Sequence, residues 1–360
     1  MAKKVENKEE VSNNRVNSAL ALLRKKFGDD AAMTFDNTNI IKVDTIPSGS
    51  LKLDRILGCG GWPRGRITLL WGDYSSGKST ICLQAVANAQ KQGLTCAYVD
   101  MEHALDPIYA ENLGCNMKEL ILLQPDGGEQ ALEAIKLLAQ EKAVDLIILD
   151  SIVACVPASE LEGELADMNI GRQAKLFSSF FKQVTPALES ANCALICTNQ
   201  VRQAPGKYGD ASVLPCGEAQ KFFASIICRT RRQQSQKEEN KEGDVIANQI
   251  SVSTEKNKLA PPFRKAEIMI YYGKGFSADN EMLDMAVEFN IIQKNGAFYK
   301  YQGENIGQGA IKAKIWLNEH SDIKEIIMNQ VKEILMKPNT EKLVNEEEID
   351  FDPETGEVIE

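Results

Sequence analysis

The stretch Arg66-Ile-Thr-Leu-Leu-Trp-Gly-Asp-Tyr-Ser-Ser-Gly-Lys-Ser-Thr80 restricts this chain to few folds. Apolar Ile67 to Trp71 lead into a turn of small residues, and an apolar-periodic run (Ile81, Leu83, Ala85, Val86, Ala89) follows. That pattern reads as a buried strand, a tight loop and the first turns of a helix. Gly72, Gly77, Lys78 and Ser79 stand at the G-x4-G-K-[ST] spacing. Backbone N–H groups of such a loop converge on a polyphosphate, and the helix N-terminus adds the positive end of its dipole. Lys78 is then placed to reach the β- and γ-phosphates and the Ser79 hydroxyl to ligate Mg²⁺, while Asp73, Tyr74, Ser75, Ser76 and Thr80 complete the cradle. A plain Gly/Ser turn is the weaker alternative. The motif implies a nucleoside triphosphate site.

Strands and helices alternate from about residue 40. The expected strands are Ile67–Trp71, Thr95–Asp100, Leu120–Gln124, Leu146–Asp150 and Ala194–Asn199, with helical patterns over Ser79–Gln92, Glu129–Glu141 and Arg172–Ser190. That alternation predicts an α/β fold with a mostly parallel sheet flanked by helices. The hydrophilic run Gln233–Gly243 reads as an exposed turn, and Ala247–Lys256 and Lys265–Tyr271 as further strands. A small α+β unit is expected from Gly275: a helix Met282–Phe289, a hairpin at Lys294-Asn-Gly296 and a helix Ser321–Leu335. Ahead of the core, residues 1–11 are charged and expected to lack order, and Val16–Phe27 form a short amphipathic helix. The expected divisions are an N-terminal arm (1–38), an α/β core carrying the phosphate loop (39–274), a small C-terminal domain (275–336) and an acidic, disordered tail (337–360).

The formal charge of −10 changes meaning once divided. Residues 337–360 hold nine acids against Lys337 and Lys342, a balance of −7 that leaves −3 for the other 336 residues. An acidic total therefore does not exclude nucleic acid as a partner. Such a tail is commonly a solubilising one, and the sharper reading is that it competes with DNA for basic surface. No apolar run approaches the roughly 18 residues of a membrane span, and the N-terminus has no apolar h-region, so neither membrane nor secretory signal is expected. Nine scattered cysteines without a C-x2-C pair fit a reducing, cytoplasmic compartment and no structural zinc.

Other strand ends carry acids and amides. Leu146-Ile-Ile-Leu-Asp150 is a buried strand ending in a carboxylate, which beside a phosphate loop would hold Mg²⁺. Glu102 follows Tyr98-Val-Asp100 and is placed to orient or deprotonate a water attacking the γ-phosphate, with a helix cap as the structural alternative. Asn199-Gln200 ends the strand Ala194-Leu-Ile-Cys-Thr198, and a side-chain amide there could sense the γ-phosphate and report to the loop that follows. That loop, Val201–Gln220, and a second one, Leu161–Gly171, leave the nucleotide-bearing strand ends and are long enough to be functional. A structural hydrogen bond suffices for His103, next to Glu102.

Taken in order, these residues resemble the bacterial RecA recombinase family over about residues 16–335. The carrying motifs are Ser48-Gly-Ser-Leu-Lys-Leu-Asp54, Gly60-Gly-Trp-Pro-Arg-Gly65, Gly72–Ser79, Asp100-Met-Glu-His-Ala-Leu-Asp-Pro-Ile-Tyr-Ala110 and Gln124-Pro-Asp-Gly-Gly-Glu-Gln-Ala-Leu-Glu133. Glu162-Gly-Glu164, Asn199-Gln-Val-Arg202 and Lys256-Asn-Lys-Leu-Ala-Pro-Pro-Phe263 complete the set. The resemblance implies a RecA-type P-loop ATPase core and an ATP- and Mg²⁺-dependent filament on single-stranded DNA. Such a filament pairs its strand with homologous double-stranded DNA and exchanges strands in recombinational repair. It implies a catalytic role for Glu102 with Lys78, Asp150 and Gln200, metal contacts from Ser79 and Asp150, and adenine contacts from Asp106 and Tyr109. Lys256 and Lys258 resemble the lysines that reach the phosphates from the adjacent subunit, and the N-terminal helix resembles the subunit-docking arm. A repressor that cleaves itself is a further partner the resemblance allows.

The implied DNA-facing residues are Ile170, Gly171, Arg172, Lys175 and Lys182 around the first loop and Arg202, Lys207, Gly217 and Lys221 around the second. Here the chain departs from the family. Lys175 stands where arginine is usual, Pro205 lies in Gln203-Ala-Pro-Gly206 where a basic–aliphatic pair is common, and Cys216-Gly-Glu218 replaces Gly-Gly-Asn. Arg and Lys are unequal at a bidentate contact, proline removes an N–H donor, and Glu218 adds a carboxylate to the presumed DNA path. A divergent, phage-borne member would carry changes of this kind. The C-terminal lysines Lys294, Lys300, Lys312 and Lys314 could gather duplex DNA or simply form a solvated basic face. Competing readings are a ring-forming motor or helicase on the same core, a phosphotransferase kinase, and a filament scaffold without hydrolysis.

Overall fold

The structure, a computed structural model, describes residues 2–28, 43–161, 170–203, 212–239, 242–276 and 278–336. It has two units, one up to Lys42 and one from Val43 onward. The first contains helix α1 (Ala2–Phe27). This helix takes in the charged residues expected to lack order, because neither Gly nor Pro interrupts residues 2–27 and Lys and Glu favour helix. It ends where Gly28 adopts φ +101° and its N–H donates to the Arg24 carbonyl at 2.8 Å. Arg24, Lys25 and Lys26 in the last turn complement the helix dipole.

The second unit opens with β1 (Thr45–Ile46), α2 (Leu51–Leu57) and β2 (Trp62–Pro63), β1 and β2 pairing antiparallel. A nine-stranded sheet follows. Its parallel strands are β3 (Ile67–Gly72), β4 (Cys96–Asp100), β5 (Ile121–Leu123), β6 (Leu146–Asp150) and β7 (Ala194–Gln200). A short ladder, β8 (Arg202–Gln203) with β9 (Ser212–Val213), precedes β10 (Ile226–Glu239), β11 (Val245–Asn257), β12 (Lys265–Tyr271) and β13 (Gly275–Phe276). The order is β13-β12-β11-β10-β3-β7-β6-β4-β5. β10 runs parallel to β3 but antiparallel to β11, so the sheet changes character at that strand.

Strand alternation sorts the side chains onto two covered faces. Leu70, Tyr98, Ile148 and Ile196 pack with Ile81, Cys82 and Val86 of α3 (Lys78–Lys91). Leu69, Val99, Leu149 and Leu195 pack on the opposite face with Ile135 of α5 (Gly128–Gln140) and Phe177 and Phe181 of α7 (Ile170–Ala191). The connections add α4 (Pro107–Asn112), α6 (Ala158–Leu161) and α8 (Ala219–Phe223). All nine cysteines are free, and burial pushes up the thiols of Cys82 and Cys197 in the core.

Two expectations are corrected. The run after Arg232 is not a turn up to Gly243: β10 continues to Glu239, paired with Ala247 and Val245 of β11 beyond an irregularity between Arg232 and Lys237. Backbone hydrogen bonds of a hairpin need no apolar side chains, so hydropathy misses such a strand. Val201–Gln220 is likewise not loop throughout, since Arg202 pairs with Val213 and Gln203 with Ser212, and α8 begins at Ala219.

The C-terminal elements are α9 (Ala278–Glu288), a three-stranded sheet of β14 (Gln293–Asn295), β15 (Phe298–Tyr301) and β16 (Glu304–Gln308), then α10 (Ala310–Glu319) and α11 (Ser321–Met336). Leu283, Ile292, Tyr299, Ile306, Leu317 and Val331 form their core, and Leu51 of α2 inserts into it. Ser50 caps α2 by accepting from Leu53 N–H at 3.1 Å and donates to the Glu281 carboxylate of α9 at 2.9 Å. Asp54 of α2 lies in the same junction, accepts from Ser48 N–H at 2.9 Å, and is pushed up to about 7, chiefly by burial and then by Glu281. Among the described residues no helix is long and apolar enough to cross a membrane.

Candidate nucleotide and DNA site

Parallel strands direct all their carboxyl ends to one edge of a sheet, where open α/β folds bind ligands. Gly72, Asp100, Asp150 and Gln200 close β3, β4, β6 and β7 at that edge. A cleft of about 490 Å³ opens there, lined by Tyr74–Thr80, Glu102, Tyr109, Asp150 and Gln200. That volume is within the usual range for small-molecule sites.

The phosphate loop is held from beneath. Ser76 Oγ donates to the Asp73 carbonyl at 2.7 Å and lies 2.7 Å from Thr230 Oγ1 of β10. A Cβ on Gly72 would fall 2.2 Å from the Thr230 carbonyl oxygen, so only glycine permits that approach. Gly77 turns the chain into α3 at φ +84°. Lys78 Nζ folds over the loop and donates to the carbonyls of Gly72 (3.1 Å) and Asp73 (2.7 Å). Burial lowers the Lys78 ammonium from its ordinary value, opposed by Asp150, Glu102 and Asp73. Tyr74 is 86 % exposed at the crest of the loop, where its ring borders the cleft.

Asp150 is the most heavily tied group in the cleft. Its Oδ1 accepts from Thr198 Oγ1 at 2.5 Å, and its Oδ2 accepts from Ser79 Oγ at 2.9 Å and from Tyr98 OH at 2.6 Å. Burial, and then the Asp150 charge, push the Tyr98 phenol well above its ordinary range, so it stays an O–H donor. Glu102 is reached from two directions: Ser151 Oγ donates to its Oε1 at 2.6 Å and Gln200 Nε2 to the same oxygen at 3.1 Å. The structure thus brings Lys78, Ser79, Glu102, Asp150 and Gln200 together from α3, the β4 and β6 ends and β7.

Tyr109 lines the cleft with its hydroxyl 2.8 Å from Thr80 Oγ1, whereas Asp106 is exposed, does not line the cleft and caps α4, accepting from Ile108 N–H at 2.9 Å and Tyr109 N–H at 3.2 Å. Lys256 and Lys258 do not line this cleft. β11 runs antiparallel to β10, so Lys256 pairs with Ile227, itself opposite Leu69, three residues before Gly72. That is about 10 Å of strand away from the phosphate loop. Lys256 Nζ instead donates to the carbonyls of Lys221 (2.6 Å) and Phe222 (3.1 Å).

On the side expected to face DNA, Gly171, Arg172 and Lys175 are exposed at the start of α7, which begins at Ile170, and Lys182 is exposed further along. Arg202 is exposed at the start of β8. Gly217 packs so closely on α7 that a Cβ would meet that of Ala174 at 2.8 Å, which joins the stems of the two loops. Lys221 pairs with Glu218 at 2.8 Å. Lys207, Pro205 and Glu162-Gly-Glu164 lie outside the described residues, as do 337–360.

Several participants escaped the sequence reading. Arg232, Asn248, Ile250, Ile270 and Tyr272 line the cleft from β10–β12 and just beyond, because β10 continues past Arg232. Gln220 is buried; its Oε1 accepts from Asn199 Nδ2 at 2.9 Å and its Nε2 donates to the carbonyls of Pro215 and Gly217. This ties the β7 end to the return of the second loop. A third link starts at Trp71, just ahead of the phosphate loop. Its Nε1 donates to Glu255 at 2.9 Å, Arg229 stacks on its ring at 4.7 Å, and Arg229 Nη2 donates to Ser212 Oγ of β9 at 2.7 Å. Burial raises the Glu255 carboxyl, against the Trp71 hydrogen bond and Arg229. The only advance signal was the polar pair Asn199-Gln200 at a strand end.

A phosphate loop at the edge of a parallel sheet, with acids on the neighbouring strand ends, defines a P-loop nucleotide-binding ATPase core. The chain matches the RecA N-terminal domain family over residues 14–277 and the RecA C-terminal domain family over residues 280–336. It is 43 % identical to Protein RecA of Bacillus licheniformis and of Bacillus subtilis (strain 168) over 316 residues, 88 % of this chain and 90 % of each relative. It is 44 % identical to Protein RecA of Listeria welshimeri over 319 residues, 88 % of this chain and 91 % of the relative. The chain belongs to the RecA family. It is a DNA-dependent ATPase and recombinase that binds DNA as a filament and acts in recombination and repair.

Proposed function

We propose that the cleft binds ATP with Mg²⁺ at a site that one subunit opens and the next completes, so that nucleotide binding stabilises the filament on single-stranded DNA. The carrying observation is the split of charge along the sheet: the acids and Lys78 converge in one chain's cleft, while Lys256 and Lys258 sit at the far end of β11. A head-to-tail array brings such a far end to the cleft of the next copy.

In this reading the N-terminus of α3 and Lys78 hold the phosphates, the lysine exchanging the carbonyls of Gly72 and Asp73 for phosphate oxygens. The donor set fits a hard cation: Ser79 offers a hydroxyl oxygen beside the Asp150 carboxylate. Bound there, Mg²⁺ supplies positive charge to the phosphate oxygens. Both hydrogen bonds to Glu102 among the described residues fall on Oε1, which leaves Oε2 to accept a proton from water. Gln200 holds Glu102 from the strand that leads into the second loop, so a γ-phosphate drawing its amide away would alter both the acid and the loop stem. Tyr109 offers a flat face to the base. Exposed Arg172, Lys175, Lys182 and Arg202, with Lys207, Gly217 and Lys221, bind the DNA backbone. A filament working on DNA belongs in the cytoplasm, and a repressor that cleaves itself is a candidate partner, checked by incubating the filament with such a repressor.

The test is ATP hydrolysis with and without single-stranded DNA, read beside electron microscopy. DNA-stimulated turnover on helical filaments is expected. Closed rings, or turnover indifferent to DNA, would contradict the proposal.

A further inference from the structure

A carboxylate offers about four lone-pair positions to donors or metals. On Asp150 three are taken: Thr198 holds Oδ1, and Ser79 and Tyr98 share Oδ2. Ser79 and Thr198 follow from the phosphate loop and the neighbouring strand end. Tyr98 is different. It lies mid-strand in β4, opposite Ile148 of β6, two residues before the Asp100–Asp150 pair. Tyr98, Ile148 and Asp150 share a face, and two residues of strand, about 6–7 Å, is the length a phenol spans. The ring is 2 % exposed among Cys82, Val86 and Ile148, where phenylalanine would fill the same space. Its hydroxyl is therefore surplus to packing, and it lands on the acid beside Ser79.

We propose that Tyr98 is a positioning residue of the cation site: its O–H clamps Asp150 so that the carboxylate keeps one oxygen position free and meets the ion through water, which selects Mg²⁺ over Ca²⁺. Mg²⁺ holds its waters and wants few direct ligands, whereas Ca²⁺ sheds water and takes carboxylates directly, often through both oxygens. A carboxylate pinned at three of its four positions suits the first ion and not the second. Partners of this outer kind typically change metal affinity or activity 10–100-fold when removed.

The inference rests on the reading of Asp150 as a metal-holding residue, and the test separates the two. Binding of a fluorescent, non-hydrolysable ATP analogue is titrated with Mg²⁺, with Ca²⁺ and in EDTA, for the unaltered chain, Tyr98→Phe, Thr198→Val and Asp150→Asn. Tyr98→Phe is expected to lower the Mg²⁺/Ca²⁺ affinity ratio by about ten-fold, with nucleotide binding in EDTA unchanged within about two-fold. Thr198→Val, which frees a position on the other oxygen, should move the ratio in the same direction. A ratio unchanged in Tyr98→Phe, or equal losses with both ions and in EDTA, would overturn the proposal even if Asp150→Asn abolishes the metal dependence. Metal dependence that persists unchanged in Asp150→Asn would remove the reading of Asp150 along with it.

Discussion

The two halves of the nine-stranded sheet use opposite means to place charge. In the parallel half, β3, β7, β6 and β4 all finish at one edge, so four neighbouring strand ends deliver Gly72, Gln200, Asp150 and Asp100 side by side. In the antiparallel half the β10–β11 hairpin reverses the chain, and Lys256 is carried to the edge opposite Gly72. Parallel strands concentrate a site within one chain, whereas a reversed strand carries its residues away from it. In the proposed reading, this division lets a chain hold the acids of its cleft and still take lysines from its neighbour.

The parallel half is tested most severely at Glu102. Glu102→Gln should cut DNA-stimulated turnover by about 10²–10⁴-fold while ATP-dependent DNA binding persists; loss of DNA binding along with turnover would remove its assigned role. Gly72→Ala probes the seam between the halves, since its Cβ would strike Thr230 of β10. Overpacking of this kind costs about 1–3 kcal/mol, and a denaturant midpoint unchanged from the parent would show that the seam yields freely.

At the stem proposed to face DNA, Glu218 neutralises Lys221 within one turn of chain. Glu218→Asn should free one cation for a phosphate and steepen the salt dependence of single-strand binding by a log–log slope of about 0.7. An identical slope would mean that Lys221 does not face DNA.

The smallest effect is expected at the junction of α2 with the C-terminal elements. Asp54 stands at about 7 in the folded chain against an ordinary 3.8. Its folded value is raised, so its contribution is fully present below the ordinary value and is lost as pH rises toward and through 7. Asp54→Asn should flatten the decline in unfolding temperature between pH 5 and 8; parallel curves for the two proteins would contradict the burial of that charge.

The sequence made the parallel half legible because its information is local. The phosphate loop, the apolar run into Asp150 and the acid at Glu102 each sit within a few residues, and strand ends at a common edge follow from the βα alternation. The antiparallel half was harder to read. Residues 237–239 pair with β11 through the backbone and carry exposed side chains, so hydropathy marks them as turn. Arg232 and Tyr272 join the cleft only because that hairpin folds beside β3. Gln220 and Arg229 act across long separations, on Asn199 and Trp71, and no local pattern announces such contacts. In the fold Asp73 serves through its carbonyl, which accepts Ser76 and Lys78, and Tyr74 borders the cleft.

The shared site is tested most directly by mixing two inactive variants, Glu102→Gln and Lys256→Ala, in equal amounts on single-stranded DNA and measuring ATP turnover. A Lys256→Ala cleft keeps its glutamate and can receive the lysine of a Glu102→Gln neighbour. In a randomly ordered head-to-tail array about a quarter of the interfaces would be intact, and turnover should return to about that fraction of the parent's. Turnover in the mixture no greater than the mean of the two variants alone would show that each chain builds its site by itself.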